Sequence, residues 1–104
     1  MLEIRANCEL CDVDLPPHSK EARICSYECT YCRNCAETVL KNVCPTCGGG
    51  FERRPVRPHQ SHRGELKLGL EYHPASKKRY VSKWTTEQIE TLLNGSKYVP
   101  PEQR

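Results

Sequence analysis

The sequence predicts a small α+β domain that divides into a cysteine-rich head (residues 1–51), a linker (residues 52–64) and a basic tail (residues 65–104). Three observations lead to this prediction. The chain has only 104 residues, which is too few to bury a large apolar core. All eight cysteines lie between residues 8 and 47, in closely spaced pairs. The 57 residues that follow contain no cysteine but eleven lysines and arginines.

The spacing of the cysteines is typical of metal binding. A pair separated by two residues closes a tight turn that aims both sulfurs at one ion, and four thiolates complete one tetrahedral zinc shell. A single pair would be weak evidence, whereas four pairs in 40 residues are strong evidence. Eight cysteines complete two such shells with none left over. We therefore expect two zinc ions, bound by Cys8, Cys11, Cys25, Cys29, Cys32, Cys35, Cys44 and Cys47.

The start of the chain favours metal over disulfides. Met1–Arg5 has neither the basic region nor the apolar run of a signal peptide. No stretch approaches the ~18 apolar residues that a membrane span requires. Thiols stay reduced in the cytosol, where they bind metal. We expect a cytoplasmic protein without a membrane partner.

Two short elements are predicted in the head. The β-prone runs 22–27 and 30–32 lie on either side of Glu28-Cys29 and predict a hairpin. Apolar residues at helical spacing predict a helix from Cys35 to Asn42, and Pro45 prevents its continuation. Gly48, directly after the last cysteine, permits a left-handed turn close to the sulfur.

The rest of the chain is predicted from composition and alternation. Residues 52–64 are rich in arginine and proline, which indicates an extended linker. Residues 65–72 alternate between apolar and other residues, which predicts a strand that pairs with Arg79–Val81. The apolar positions of this strand are Leu66, Leu68, Leu70 and Tyr72.

A capped helix is predicted from Trp84 to Gly95. Thr85 is the N-cap residue, and Gln88 falls at the third helical position, where it completes a capping box. Trp84 is placed to pack on Ile89 as a hydrophobic staple, and Asn94-Gly95 is expected to end the helix.

Charge separates the two halves. Residues 1–47 hold five Lys/Arg against seven Asp/Glu, whereas residues 48–104 hold eleven against six. Eight thiolates with two divalent ions would lower the formal net charge of +3 to −1. The basic residues of the tail, among them Lys77, Lys78 and Arg79, could follow a nucleic-acid backbone, with Tyr80 and Trp84 as stacking platforms. Alternatively, the tail is a solvated basic surface, or it docks on the acidic head.

Catalysis is not expected. A catalytic zinc keeps an open position and usually has a histidine or carboxylate ligand, whereas these sulfur shells can close fully. A redox role would require a reactive thiol free of metal, and no cysteine is spare. The histidines at positions 18, 59, 62 and 73 lie in Pro-rich or polar segments without a cysteine partner, so we expect them to be solvated.

The order of the ligands resembles that of RING-type cross-brace domains, with a treble-clef-type head. Leu10 directly before the second ligand and Pro45 after the seventh also match that pattern. The resemblance implies interleaved pairing, in which Cys8, Cys11, Cys32 and Cys35 share one ion and Cys25, Cys29, Cys44 and Cys47 share the other. Sequential pairing of the first four and the last four cysteines stays open. Three features depart from ubiquitin-ligase RINGs: Cys29 replaces a histidine, no tryptophan lies between Cys35 and Cys44, and Gly48 replaces a basic residue.

A second resemblance covers more of the chain. Met1–Arg5, the Asp-Leu-Pro-Pro at residues 14–17, Cys44–Phe51, Arg54–Pro58 and the closing Val99–Glu102 are similar to a small bacterial cysteine-rich family, domain of unknown function 1272. This resemblance implies a bacterial cytoplasmic protein with a zinc-binding head, and it implies no activity.

Three functions follow as hypotheses. The leading one is a non-catalytic zinc-binding adaptor that presents Leu10, Pro45 and the exposed face of the helix after Cys35 to another protein. The second is a nucleic-acid binder that uses Lys77, Lys78 and Arg79. The third is a ligase-like module that recruits a conjugating enzyme.

Overall fold

The head is built on a three-stranded antiparallel sheet in the computed structural model, which describes residues 1–104. Strands β1 (Ala22–Ile24), β2 (Thr30–Cys32) and β3 (Glu52–Arg53) lie in the order β2-β1-β3. The predicted hairpin is confirmed, because β1 and β2 pair antiparallel with Ala22 opposite Cys32. Glu28 adopts a left-handed φ of 69° in the connection, which makes the turn tight.

The helix after Cys35 is shorter than predicted. It is a single π-helical turn, Cys35–Val39, in which the Leu40 amide donates to the Cys35 carbonyl at 2.8 Å. Lys41 and Asn42 have left-handed φ values of 50° and 62°, so the chain turns away before a second helical turn forms. Val39, one of the apolar residues at helical spacing, is 47 % exposed.

The start of the predicted linker belongs to the head, so the prediction of an extended linker is wrong there. Residues 52–53 form β3, which pairs with β1. The next residue, Arg54, is only 1 % exposed. Its guanidinium donates to three main-chain carbonyls, those of Arg5 at 2.8 Å, Leu15 at 3.1 Å and Pro16 at 2.9 Å. Arg54 thereby joins the N-terminal segment to the loop that follows the first cysteine pair.

The predicted strand at residues 65–72 is also wrong. Residues 58–71 form a closed loop, in which the Leu70 amide donates to the Pro58 carbonyl and the Glu71 amide to that of His59. The loop contains a 3-10 turn, Gly64–Leu66. Gly69 has a φ of +91°, and a Cβ there would lie 2.8 Å from the Gln60 carbonyl oxygen, so this closed conformation requires glycine. The apolar residues of the alternation do not face a core: Leu66, Leu68 and Tyr72 are exposed.

Residues 76–82 lie along the N-terminal segment of the head instead of pairing with residues 65–72. The Ser76 amide donates to the Ile4 carbonyl at 2.9 Å and the Ser82 amide to the Glu9 carbonyl at 2.7 Å. Between them, the Asn7 side chain pairs with the backbone of Tyr80, donating to its carbonyl at 2.8 Å and accepting from its amide at 3.0 Å. We call residues 76–82 the strap.

Helix α1 (Thr86–Ser96) confirms the predicted capped helix. The Thr85 hydroxyl accepts from the Gln88 amide at 3.2 Å, and the Gln88 side chain accepts from the Thr85 amide at 2.9 Å. α1 ends one residue beyond the predicted Gly95, and Lys97, its C-cap residue, keeps right-handed helical angles, so the expected termination by Asn94-Gly95 is absent. No helix of the protein is both long enough and apolar enough to cross a bilayer.

Thr85→Ala is expected to lower the free energy of unfolding by about 1 kcal/mol, because it leaves the Gln88 amide without its capping partner. The midpoint of chemical denaturation of the metal-loaded protein measures this change. Thr86→Ala, at the exposed first position of α1, is the matched control and should leave the midpoint nearly unchanged. Equal effects of the two substitutions would contradict the assigned cap.

The core joins the head to the tail. Ile89 and Leu93 of α1 belong to the same buried cluster as the cysteines and the apolar residues of the head. Tyr31 and Phe51 meet edge to face within this cluster, with ring centroids 5.3 Å apart. The tail therefore docks on the head, which was one of the alternatives left open above. The head residues of this cluster that are not cysteine are Leu15, Ala22, Tyr31, Ala36, Leu40, Val43 and Phe51.

Candidate metal centre

Four cysteines converge at one end of the hairpin. The sulfurs of this first sulfur group, Cys8, Cys11, Cys32 and Cys35, all lie within 4.8 Å of one another. The Sγ atoms of Cys11 and Cys32 are 3.7 Å apart. Zinc–sulfur bonds of about 2.3 Å in a tetrahedron would separate the sulfurs by about 3.8 Å, so this spacing suits an ion at the centre. Three of the four side chains are buried, and Cys11 is exposed.

Three of the other four cysteines form a second sulfur group. The sulfurs of Cys25, Cys44 and Cys47 lie within 4.8 Å of one another. Cys29 falls outside that mutual limit, but the thiols of Cys25 and Cys44 are close enough to lower its pKa. Cys29 is therefore the nearest candidate for a fourth ligand of this group.

The grouped sulfurs follow an interleaved order along the chain. The first and third pairs form the first group, and the fourth pair and Cys25 of the second pair form the second. This is the arrangement implied by the cross-brace order, and it differs from sequential pairing. All eight cysteines are free, and the 3.7 Å between Cys11 and Cys32 is far longer than a disulfide bond.

Local backbone geometry aims the sulfurs and supplies them with hydrogen-bond donors. In the last pair, Gly48 has a φ of +79° and its amide donates to the Cys44 carbonyl at 2.8 Å, as the glycine after the pair predicts. Backbone amides also point at sulfur in every pair, and such bonds favour the thiolate form. These contacts run from Cys11 to Cys8 (3.5 Å), Tyr27 to Cys25 (3.3 Å), Cys35 to Cys32 (3.4 Å) and Gly49 to Cys47 (3.4 Å).

The electrostatics of the groups fit a bound cation. Hydrogen bonds with Cys25 and Cys44 lower the pKa of the Cys29 thiol to about 3. The contacts with Cys25 and Cys29, together with burial, raise the pKa of Cys44. Burial and the neighbouring thiols likewise raise the pKa of Cys35. The thiols of one group therefore cannot all lose their protons easily, because the negative charges would repel one another. A positive ion at the centre would allow all of them to be thiolates.

Polar residues that the sequence analysis did not single out hold the cysteine pairs in place. The buried carboxylate of Glu9 accepts from the Thr30 amide at 2.5 Å and from Arg5 Nη1 at 2.9 Å, so it joins the first pair to β2. Asn7 is fully buried beside Cys8 and binds the strap. Only their position next to Cys8 could have signalled these roles, because Asn and Glu ordinarily lie at the surface.

The predicted partner-binding residues have different surroundings. Pro45 is buried and Leu10 is partly buried against the core, so the prediction that Pro45 presents its side chain to a partner is corrected. Lys77 and Lys78 are exposed. Arg79 is exposed but paired, with Nη2 at 2.8 Å from an oxygen of Asp12 and Nη1 at 2.7 Å from one of Asp14.

The histidines lie apart from both sulfur groups, neither of which contains one. His59 and His62 lie in the exposed loop, and the nearest carboxylate to His59 is that of Glu71, at 3.8 Å. His18, His59 and His62 are exposed, as expected of solvated side chains, whereas His73 is half-buried.

Comparisons with known proteins identify the head. A family model described as "Protein of unknown function (DUF1272)" matches residues 1–57, which end just past Arg54. An uncharacterized protein of Rhizobium meliloti (strain 1021) is 62 % identical over 58 residues, which cover 56 % of this chain and 69 % of that protein. No solved structure matches. The closing run Val99–Glu102, included in the predicted resemblance, lies outside the matched residues. Because the match spans more than half of the chain and includes every cysteine, the chain belongs to the DUF1272 family.

Proposed function

We propose that the protein is a non-catalytic adaptor whose head is held together by two zinc ions. The observation that carries the proposal is the convergence of seven of the eight cysteines in two interleaved groups, with Cys29 beside the second. Sulfur-only shells suit zinc, which accepts a tetrahedral thiolate environment without redox change. A bound ion would supply the cohesion that a small apolar core cannot. Thiolate ligands of this kind suit a reducing compartment such as the cytoplasm.

The composition of the two groups supports a structural role for both ions. Each group offers sulfur alone, and seven of the eight cysteines are buried or partly buried. A shell closed by four thiolates leaves no position for substrate or water. We therefore propose recognition of another molecule, and no turnover, as the activity of the head.

The interleaved grouping also supports a RING-like cross-brace. Such a frame holds its surface loops rigidly, which lowers the cost of ordering them on binding. We do not extend the likeness to ligase activity. Pro45 is buried, and Gly48 occupies the position where active ligases often have a basic residue.

The metal content tests the first half of the proposal. Protein purified from a reducing cytosol, without added metal, is expected to contain about two zinc ions per chain by elemental analysis. A thiol titration under native conditions should find the thiols protected until a chelator is added. Sulfurs joined as disulfides, or a ratio near zero, would contradict the proposal.

A pull-down with the zinc-loaded protein tests the second half. The control is the same protein after metal removal, which should lose a partner that recognises the folded head. Discharge of a loaded conjugating enzyme in vitro would instead support the ligase-like alternative.

Nucleic-acid binding through the tail stands as a second candidate, because Lys77 and Lys78 are exposed without a carboxylate partner. Arg79 contributes less to this candidate because its guanidinium is engaged by Asp12 and Asp14. Binding to a labelled oligonucleotide should fall steeply with salt and be lost on neutralising Lys77 and Lys78. Lys20 and Lys41, exposed in the head, provide control substitutions.

A further inference from the structure

The tail covers a defined face of the head. Trp84 Nε1 donates to the Thr46 hydroxyl at 3.0 Å, inside the last cysteine pair. At the end of the chain, Arg104 Nη1 donates to the carbonyls of Asn42 and Gly48, each at 2.9 Å. Between these points, Ile89 and Leu93 enter the buried cluster, and Leu10 and Cys47 are partly buried against it. We call this surface the knuckle face, defined by Thr46 and Gly48, which the tail contacts directly, and by Leu10 and Cys47, which pack against the buried cluster that Ile89 and Leu93 enter.

Helix α1 contacts the head as a helical ligand contacts a groove. Its buried residues, Ile89 and Leu93, are four positions apart, and the half-buried Leu92 lies beside them. The other faces of α1 are exposed. Apolar residues four apart on an otherwise polar helix are the anchors of helix-in-groove recognition. Trp84 adds an aromatic anchor with a directed hydrogen bond, five residues before Ile89.

The strap is anchored by the buried Asn7, but helix α1 is held less firmly. An isolated helix of 11 residues is marginal in water, so α1 depends on its docking for stability. The ion pairs of Arg79 with Asp12 and Asp14 are exposed, and exposed ion pairs contribute little. The family match ends at residue 57, so the face belongs to the shared head and its cover lies outside the matched segment.

We propose that the knuckle face is a docking site for an amphipathic helix preceded by an aromatic residue, and that the tail occupies it intramolecularly. This inference rests on the proposed adaptor function and specifies the chemistry of its partner. The partner helix carries an aromatic N–H donor for Thr46, with apolar residues five and nine positions later. The tail competes with the partner, because a tethered segment has an effective concentration near the millimolar range.

The test uses the full chain and a labelled synthetic peptide of residues 82–104. Leu93→Asp places a charge on the buried stripe of α1 and should release the tail while leaving the metal ratio unchanged. The variant is expected to bind the peptide at least about tenfold more tightly than the natural chain does, because its knuckle face is vacated. Asn94→Asp, which adds the same charge at the exposed neighbouring position, is the matched control and should bind like the natural chain.

A second substitution locates the binding face. Thr46→Val in the Leu93→Asp background removes the acceptor for Trp84 and should weaken peptide binding by about fivefold. A peptide with Trp84→Ala should show a similar loss on the protein that retains Thr46 and little further loss on the Thr46→Val protein. Equal losses on both proteins would mean that the peptide binds elsewhere.

Three results would overturn the inference. In the first, Leu93→Asp retains its metal and yet binds the peptide no better than the natural chain does. In the second, Leu93→Asp loses its metal, which would show that the tail is inseparable from the head. In the third, the natural chain is a dimer in sedimentation and Leu93→Asp is a monomer, which would show that the tail is exchanged between copies. The assay requires no external partner, so failure of the pull-down and failure of this inference are distinguishable.

Discussion

Cys44→Ser is expected to reduce the zinc ratio from about two to about one and to unfold much of the head. Cys44 is fully buried, and its sulfur lies among those of Cys25, Cys29 and Cys47. Structural zinc sites contribute apparent free energies of about 10–16 kcal/mol, so loss of one of four ligands is expected to cost several kcal/mol. That loss is comparable with the whole stability of a small domain, about 5–15 kcal/mol. Elemental analysis and the midpoint of chemical denaturation measure the two effects.

Thr46→Ser is the control for this prediction. It changes the same cysteine pair but retains the hydroxyl that accepts from Trp84, so metal ratio and midpoint should both persist. If Cys44→Ser retained two ions and its midpoint, the second sulfur group would not be a metal site.

Arg54→Lys is expected to destabilise the protein by about 2–4 kcal/mol, although it preserves the charge. The planar guanidinium donates to three carbonyls on two segments of the head, and an ammonium group cannot reproduce that fork. Burial lowers the pKa of Arg54, and no carboxylate pairs with it, so its attachment depends on these carbonyls. The denaturation midpoint of the metal-loaded variant checks the prediction.

Arg53→Lys provides the comparison at the neighbouring position. Arg53 is exposed on β3, and its substitution should change the free energy of unfolding by less than about 0.5 kcal/mol. Similar effects at positions 53 and 54 would contradict the special role of the buried guanidinium.

Local signals predicted the elements whose stabilising contacts are local. The hairpin at residues 22–32 follows from two β-prone runs joined by a short connection, and its pairing partner is close in sequence. The N-terminus of α1 follows from Thr85 and Gln88, which satisfy each other's backbone amides. In both cases the residues that decide the structure lie within a few positions of one another.

The wrong predictions concern segments whose structure depends on contacts with residues far away in the sequence. The alternation at residues 65–72 matches a strand, but no partner strand pairs with it, and Gly69 bends the backbone so that the loop closes on Pro58. Arg54 lies in a run of arginine and proline that resembles a solvated linker. Its burial depends on carbonyls 38 to 49 residues away, which composition does not reveal.

The candidate metal centre, like the fold, was predicted in part: the sequence identified the cysteines but not the residues that surround them. The residue types and spacing identified all eight cysteines, because thiolate pairs carry their chemistry in the sequence itself. Their grouping came from a resemblance to cross-brace domains. The hydrogen bonds around the sulfur groups, such as those between Glu9 and Thr30 and between Trp84 and Thr46, arise from tertiary packing that the sequence pattern did not indicate.

The interleaving of the sulfur groups has a consequence for biosynthesis. On the ribosome, the second group cannot close until Cys47 has emerged, and its Cys25 and Cys29 lie within the segment that the first group encloses between Cys11 and Cys32. When the first group binds an ion, the closed segment therefore already restricts where Cys25 and Cys29 can lie. We therefore expect metal to be acquired in order during synthesis, by the first group before the second.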